Sequence, residues 1–213
     1  MQGYKSDFIR FALTRKALLF GDFTLKSGRQ SPYFFNTGLF NSGACLAQLG
    51  SYYASAIEAS GITYDMVYGP AYKGIPLVAA ITTQIYNQTQ RDVPWCFNRK
   101  EAKDHGEAGI FVGTTPFGRI LIIDDVISAG TSSRESVDLL SAAGAEPVGL
   151  AIALDRQERG TGERSAVQEV TQSLGLQIAT ILNLDDLVEF LSVESGYDHE
   201  LEAVSAYRAR YGV

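Results

Sequence analysis

The sequence predicts an α/β fold, in which a central parallel sheet is flanked by helices and a small α+β cap covers one end. From residue 66 onward, strand-like and helix-like segments alternate, which is typical of a parallel sheet covered by helices. The strand-like runs are continuously apolar, as expected for strands buried on both faces. No internal repeat or long Pro/Gly/Ser linker divides the chain. We therefore expect one domain spanning residues 1–213.

Residues 1–40 are predicted to form most of the cap. One helical face is indicated by the apolar residues Phe8, Ile9, Ala12 and Leu13. Glycine-containing pairs then punctuate short strand-like pieces between Ala17 and Gly28. A second helix, ending near Gly61, is indicated by an apolar stripe at spacings of three and four, made of Leu46, Leu49, Tyr53 and Ile57.

Beyond the cap, each sheet element follows from a short apolar run. The predicted strands cover residues 66–68, 95–97, 120–123, 148–154 and 177–182. Helices are predicted over residues 74–86, after Thr131 and after Asn183. Asn183 can cap the last of these, and two acidic residues beside it suit the positive end of the helix dipole.

Composition narrows the classes of function. The chain has 24 acidic and 18 basic residues and a formal charge of −6, which disfavours a nucleic-acid groove. Its apolar runs fall far short of the roughly 20 residues needed to cross a bilayer. The N-terminus has no basic start followed by an apolar stretch, so we expect a cytoplasmic protein. Cys45 and Cys96 lack metal or redox spacing and are predicted to be buried thiols.

An acid pair follows the strand at residues 120–123. Asp124 and Asp125 precede a small-residue loop at 128–131 that runs into a helix. Backbone amides in such a loop and the helix N-terminus favour a phosphate, while the carboxylates suit sugar hydroxyls or water on a bound Mg²⁺. Ser132 and Glu135 have the spacing of a capping box. The alternative is that the pair merely ends a strand before a capped helix.

A rigid turn follows the strand at residues 66–68. Lys73 lies among two glycines and two prolines, with Pro76 acceptable in the first turn of the next helix. Backbone amides and one ammonium suit a diphosphate. The alternative is an ordinary turn with an exposed lysine.

Residues 98–109 form a basic stretch with glycines at 106 and 109. Its four candidate cations are Arg99, Lys100, Lys103 and His105. Such a stretch is usually a solvated charge run. A polar basic loop with glycine hinges is also what a mobile lid over an anionic substrate requires.

These segments together resemble a known family. The order of apolar strand, acid pair, apolar pair, small hydroxyl residue and Ala129-Gly130-Thr131 resembles the signature of the type I phosphoribosyltransferases, which use phosphoribosyl pyrophosphate. Further matches at residues 24–36, 69–74, 99–106 and 154–156 extend the resemblance over essentially the whole chain. They narrow it to the bacterial orotate phosphoribosyltransferases.

The resemblance implies the type I phosphoribosyltransferase fold and a Mg²⁺-dependent reaction. Orotate would displace pyrophosphate from phosphoribosyl pyrophosphate, giving orotidine 5′-monophosphate on the route to UMP. The partners implied are these two substrates and a second copy of the chain, with the lid crossing the dimer interface. Mg²⁺ would be held mainly by substrate, with Asp124 and Asp125 reaching it through water.

The resemblance also implies residue roles. Phosphoribosyl pyrophosphate would be bound by Lys26, Tyr72, Lys73, Arg99, Lys100, Lys103, His105, Asp124, Asp125, Val126, Ile127, Ser128, Ala129, Gly130, Thr131 and Ser132. Orotate would be bound by Lys26, Phe34, Phe35, Ser128 and Arg156. The catalytic residues implied are Lys26, Lys73, Lys103, His105, Asp124 and Asp125.

Some of these assignments have open alternatives. Arg156 can bind a carboxylate with its planar fork, or it can pair on the surface with Asp155, with Glu158 or beside Arg159. Adjacent strand residues point opposite ways, so only one of Phe34 and Phe35 is expected to stack on a ring.

Position 128 is Ser where many members of the family have Thr. The hydroxyl is kept and a methyl group is lost, so we expect function to persist.

Three other functions compete with this one. A phosphoribosyltransferase for another base would not need the aromatic cap or Arg156. A non-catalytic sensor of phosphoribosyl pyrophosphate that regulates transcription would need a basic DNA-binding helix, which the sequence lacks. A phosphoacceptor receiver domain would lack the Gly-Thr loop directly after the acid pair.

Overall fold

The computed structural model describes residues 2–25, 27–103, 109–127, 131–160 and 162–213, without the side chains of Ala102 and Lys103. The strands are β1 (Leu18–Thr24), β2 (Gln30–Phe35), β3 (Met66–Gly69), β4 (Trp95–Lys103), β5 (Gly109–Gly113), β6 (Arg119–Ile123), β7 (Glu146–Asp155) and β8 (Gln177–Asn183). The helices are α1 (Gly3–Thr14), α2 (Gly43–Ser60), α3 (Gly74–Thr89), α4 (Thr131–Ala142), α5 (Ala166–Leu174), α6 (Leu184–Val193) and α7 (Asp198–Tyr211).

The main sheet has six strands in the order β5-β4-β3-β6-β7-β8. The five strands from β4 to β8 in this order are parallel, which confirms the predicted sheet. The edge strand β5 is antiparallel to β4 and was not predicted. The prediction that the strand beginning at Trp95 ends at residue 97 was wrong, since β4 continues to Lys103. The extension has polar side chains, so its sequence does not indicate a strand. It is held by main-chain pairing with β5.

Helices cover both faces of the sheet. One core contains the buried residues of α2, α3 and α6, and the other contains Leu140 of α4 and Val170 of α5. Successive residues of β3 alternate between them: Val67 lies in the first, and Met66 and Tyr68 lie in the second.

The strand order reverses between β3 and β6: β4 and β5 are added on one side of β3, and β6, β7 and β8 on the other. These strands are paired neighbours, yet the helices that follow them, α3 and α4, pack in different cores on opposite faces. In open parallel sheets, such a point leaves a crevice beyond the carboxyl ends of the strands, where ligands bind.

The cap hairpin pairs β1 with β2 in antiparallel register. An aromatic cluster anchors α1, with Phe8 and Phe11 against Phe40 and Tyr52. The C-terminal helix α7 also packs against β2, as the Tyr33 and Tyr207 rings meet edge to face with centroids 6.1 Å apart. The cap hairpin is therefore packed beside the N-terminal helix α1 and the C-terminal helix α7.

Several local predictions are confirmed. Helix α2 ends at Ser60, with Gly61 in the left-handed conformation at φ 68°. Asn183 caps α6 in a reciprocal capping box with Asp186. Cys45 and Cys96 are buried free thiols, and burial raises the pKa of Cys96 to about 12.

Within the described residues, no helix combines the length and apolar character that a membrane crossing requires.

Candidate active site

Three loops meet at the carboxyl edge of the sheet. They follow β3, β6 and β7, which are consecutive neighbours in the strand order. They carry Lys73, the acid pair and Arg156 respectively. The edge therefore brings together residues that lie up to 83 positions apart in the chain, between 73 and 156.

Asp125 is the most heavily bonded of these groups. Its Oδ2 accepts hydrogen bonds from Lys73 Nζ at 2.5 Å and from Thr37 Oγ1 at 2.8 Å, and its Oδ1 accepts one from the amide of Val126 at 3.0 Å. Burial alone raises the pKa of the carboxyl, but the bonds from Lys73 and Thr37 outweigh burial and leave it below its ordinary value. Asp125 is therefore an ionised carboxylate that three hydrogen bonds fix in position.

Asp124 is held through its main chain. Its carbonyl accepts a hydrogen bond from the buried hydroxyl of Tyr53 at 2.8 Å. Burial raises the pKa of Asp124 to about 6, and the charge of Asp125 also raises it. The pKa of Asp124 is thus above its ordinary value, and that of Asp125 is below it.

Ser132 corrects a prediction. It lies inside α4, which begins at Thr131, so it is not the residue that caps the helix. Its hydroxyl donates instead to Asp124 Oδ2 at 3.3 Å. Ser132 is thus a residue of the first helical turn, and its hydroxyl faces the acid pair.

The loop after β3 is closely packed at its base and exposed at its tip. A Cβ on Gly69 would collide with the carbonyl of Gly74, so the turn requires glycine there. At the tip, the side chain of Lys73 is 66% exposed and Tyr72 is 71% exposed. Both side chains are accessible to a ligand in the crevice.

Asn98 joins this loop to β4. Its Oδ1 accepts hydrogen bonds from the Ala71 amide at 2.8 Å and from the Tyr68 hydroxyl at 2.9 Å. Nearby, Lys100 Nζ lies 5.4 Å from the centre of the Tyr72 ring. The basic strand and the loop are therefore in contact at two places.

Arg99 donates to the carbonyl of Gly109 at 3.3 Å, across the β4–β5 pair. Six of the predicted site residues, or their side chains, lie outside the described residues. These are Lys26, the side chain of Lys103, His105, Ser128, Ala129 and Gly130.

Arg156 lies under the cap. Its Nε donates to Glu158 at 2.6 Å and a terminal nitrogen donates to the Ser31 hydroxyl at 3.0 Å. Its guanidinium stacks over the Tyr33 ring, 4.2 Å from the centroid. The side chain is only 22% exposed, so this is a partly buried cation with one carboxylate partner.

Phe34 and Phe35 point to opposite sides of the cap hairpin, as predicted. Phe34 is 38% exposed and stacks on Phe23, with centroids 5.4 Å apart. Phe35 packs against the core beside Phe8, with centroids 6.2 Å apart. Phe34 is therefore the ring available to a ligand.

The remaining predicted residues of the acid-pair segment support the crevice. Val126 forms a parallel bridge with Leu154 and packs against the first core, while Ile127 packs against the second. Thr131 opens α4.

Similar proteins identify the family. The phosphoribosyl transferase domain matches residues 38–177. Curated relatives named orotate phosphoribosyltransferase are 61% identical in Thioalkalivibrio sulfidiphilus and 56% identical in Pseudomonas aeruginosa, each over 100% of both chains. The chain belongs to the orotate phosphoribosyltransferase family. A crystal structure of a Francisella tularensis member is 42% identical, covers 97% of this chain and 100% of its own, and superposes with a TM-score of 0.89.

This phosphoribosyltransferase has an acid pair that fits a substrate-borne metal ion. No group of three or more His, Cys, Asp or Glu side chains in the described part of the chain could hold a metal. Mg²⁺ is usually held by one or two carboxylates together with substrate phosphates and water. Asp124 and Asp125 are two adjacent carboxylates of this kind.

Four residues that hold parts of this phosphoribosyltransferase site were not predicted from the sequence to belong to it: Thr37, Tyr53, Asn98 and Glu158. Glu158 entered only as a surface partner for Arg156, and Tyr53 only as part of an apolar helix stripe. Each is ordinary in its local sequence and acts through partners distant in the chain, except Glu158, which is two residues from Arg156. The one local signal available is the position of Asn98, a polar residue directly after the apolar run at 95–97.

Proposed function

We propose that the chain transfers ribose 5-phosphate from phosphoribosyl pyrophosphate to orotate, releasing pyrophosphate and forming orotidine 5′-monophosphate in pyrimidine biosynthesis. The observation that carries this proposal is the crevice at the β3/β6 switch point, where Lys73 after β3 meets the acid pair after β6, and Arg156 follows the next strand, β7. Full-length identity of 61% with a named orotate phosphoribosyltransferase supports the choice of base.

Pyrophosphate is proposed to leave beside the loop after β3. Lys73 and Tyr72, both exposed at its tip, would contact it, together with Arg99, Lys100, Lys103 and His105 of the lid. Cations placed at a departing polyanion stabilise the charge that develops in the transition state. Positioning and electrostatic stabilisation therefore supply most of the catalysis.

The ribose and its 5′-phosphate are proposed to occupy the acid-pair segment. The carboxylates would accept hydrogen bonds from ribose hydroxyls, and residues 126–132, which lead into α4, would bind the phosphate through backbone amides and hydroxyls. Tyr53 and Thr37 keep the acid pair in place from α2 and from the cap.

Orotate is proposed to bind under the cap. Arg156 would pair with its carboxylate, Phe34 would lie against the ring, and Lys26 and Ser128 would complete the pocket. Orotate is acidic enough at the ring to act as an anionic nucleophile, so no strong general base is required. This agrees with the absence of a candidate base from the sequence.

Mg²⁺, when bound, would neutralise part of the charge of the pyrophosphate group. Asp124 and Asp125 would reach it through water, because each carboxylate already accepts hydrogen bonds from protein groups.

The lid is proposed to act in a homodimer, with Arg99, Lys103 and His105 serving the neighbouring site. Closure would also exclude water, which would otherwise hydrolyse the activated ribose. The working unit would be a cytoplasmic dimer of single-domain subunits, in which residues 1–40 form most of each cap.

A spectrophotometric assay tests the proposal. Purified protein with Mg²⁺, phosphoribosyl pyrophosphate and orotate should consume the ultraviolet absorbance of orotate, and omission of any component should abolish the change. Turnover of adenine or hypoxanthine without turnover of orotate would assign another base. Binding of phosphoribosyl pyrophosphate with no turnover of any base would indicate a sensor.

A further inference from the structure

Asn98 lies at the crossing of three segments: the end of β3, the loop after it and the outer half of β4. Its side-chain oxygen accepts from Ala71 N and Tyr68 Oη, and its side-chain nitrogen donates to the carbonyl of Arg99 at 3.3 Å. One amide group thus ties the loop to the strand that carries the lid cations.

The bond to Ala71 N controls the free part of the loop. At its base, the loop is fixed by the close packing of Gly69 on Gly74, and Gly74 N bonds to the carbonyl of Pro70 at 2.9 Å. Between these anchors only residues 71–73 remain, and they include the two exposed side chains, Tyr72 and Lys73. Asn98 therefore holds the main chain directly before both side chains, while the Tyr72 carbonyl accepts a bond from Ile75 N at 3.3 Å on the other side.

The two bonds to Asn98 Oδ1 are not equivalent. Tyr68 is a buried residue of β3 whose backbone is already held by the sheet, on both sides, in β4 and β6. Ala71 belongs to no helix or strand, so its amide depends on this side-chain acceptor. Loss of the Tyr68 bond should therefore be tolerated, and loss of the Ala71 bond should not.

We propose that Asn98 is a positioning residue that holds the loop of residues 71–73 in the form that receives the pyrophosphate group. This inference rests on the proposed function. It separates Asn98 from the residues that contact substrate: its role is to aim Tyr72 and Lys73, and to keep Tyr72 beside Lys100 of β4.

The test compares Asn98→Leu, which keeps the size of the side chain and removes its acceptor, with Tyr68→Phe, which removes the hydroxyl that donates to the same oxygen and also bonds with Ser136. In Asn98→Leu, KM should rise about tenfold for phosphoribosyl pyrophosphate and, in the reverse reaction, for pyrophosphate. KM for orotate and for orotidine 5′-monophosphate should stay within about twofold, since the base end is untouched. Tyr68→Phe should match the wild type in all four constants.

A purely structural role gives a different result. It would lower the melting temperature and the active fraction while leaving all four KM values unchanged, or would raise all four together, and either outcome overturns the proposal. If Asn98→Leu does not fold, Asn98→Ala is measured in the same way.

Calorimetric titration of each variant with Mg-pyrophosphate gives a readout that does not require turnover. Weaker binding by about tenfold in Asn98→Leu, with wild-type binding in Tyr68→Phe, supports the positioning role. Equal binding by all three proteins overturns it. Absence of orotate turnover by the wild type, with pyrophosphate binding intact, would contradict the proposed function alone.

Discussion

The pyrophosphate end and the base end of the proposed site each pair a cation with a carboxylate, and the two pairs are built differently. Lys73 is 66% exposed and reaches Asp125 with a single ammonium. Arg156 is 22% exposed, bonds to Glu158 and Ser31, and lies over the Tyr33 ring. The first pair is a contact at the tip of a loop, and the second is packed into the cap.

This difference indicates what each end has to do. The ammonium of Lys73 is mostly exposed, so it can turn to a phosphate oxygen while Asp125 keeps its bonds from Thr37 and from the Val126 amide. A guanidinium held by stacking and by two partners loses little freedom when a carboxylate binds. The pyrophosphate end is adjustable, and the base end is preorganised.

The largest expected effect lies at the adjustable end. Lys103→Ala should lower kcat by about 10²–10³-fold with a modest loss of substrate binding, because a lid cation acts on charge that develops only in the transition state. Steady-state kinetics against both substrates measures this. Near-normal turnover would remove Lys103 from the lid role.

Arg156→Lys tests the preorganised end. An ammonium cannot reproduce the fork or its stacking on Tyr33, so KM for orotate should rise at least about 30-fold while KM for phosphoribosyl pyrophosphate changes little. The matched control is Arg159→Lys, an exposed position three residues away, which should keep both constants. Equal effects on both substrates would show that Arg156 supports the fold of the cap and not the base.

Asp125→Asn sharpens the contrast between the pairs. Loss of its charge frees Lys73 but weakens acceptance of ribose hydroxyls, so kcat/KM for phosphoribosyl pyrophosphate should fall about tenfold. Thr37→Val keeps the shape of the Thr37 side chain and removes one donor to Asp125. The expected loss of kcat/KM is below about threefold. If the two variants are equally impaired, the main role of Asp125 is to anchor the cap.

The smallest effect concerns pH. Asp124 has a pKa raised by burial to about 6, so kcat/KM should be about half its maximum near that pH and fall further in more acid solution. Asp124→Asn should flatten this limb of the pH profile. Because the folded pKa exceeds the ordinary value of 3.8, this group's contribution to the free energy of unfolding decreases as pH rises from about 4 to about 6. A limb that persists in the variant would assign it to another group.

Local pattern was sufficient for the framework. Continuous apolar runs predicted β3, β6, β7 and β8 to within a few residues, and the acid pair and Lys73 could be placed because they directly follow such runs. The outer half of β4 could not be predicted, since its strand form comes from pairing with β5 and not from its own polar residues.

Contacts between segments that are distant in the chain could not be predicted from the sequence. Nothing near Thr37 indicates that its hydroxyl will meet Asp125, 88 positions later. The environment of Arg156 was also open: a pairing with Glu158 was foreseen, but not its burial beneath Ser31 and Tyr33, which depends on how the cap hairpin lies across β7.

The reversal between β3 and β6 has a consequence for the molecule as a whole. The loops that flank it lead into helices on opposite faces, so a ligand in the crevice touches both helical layers at once. Its binding free energy is then added to the free energy of unfolding, by about 2.7 kcal/mol at a ligand concentration 100 times Kd. Bound substrate therefore stabilises the folded enzyme, and we expect a cell rich in that substrate to keep more of the enzyme folded.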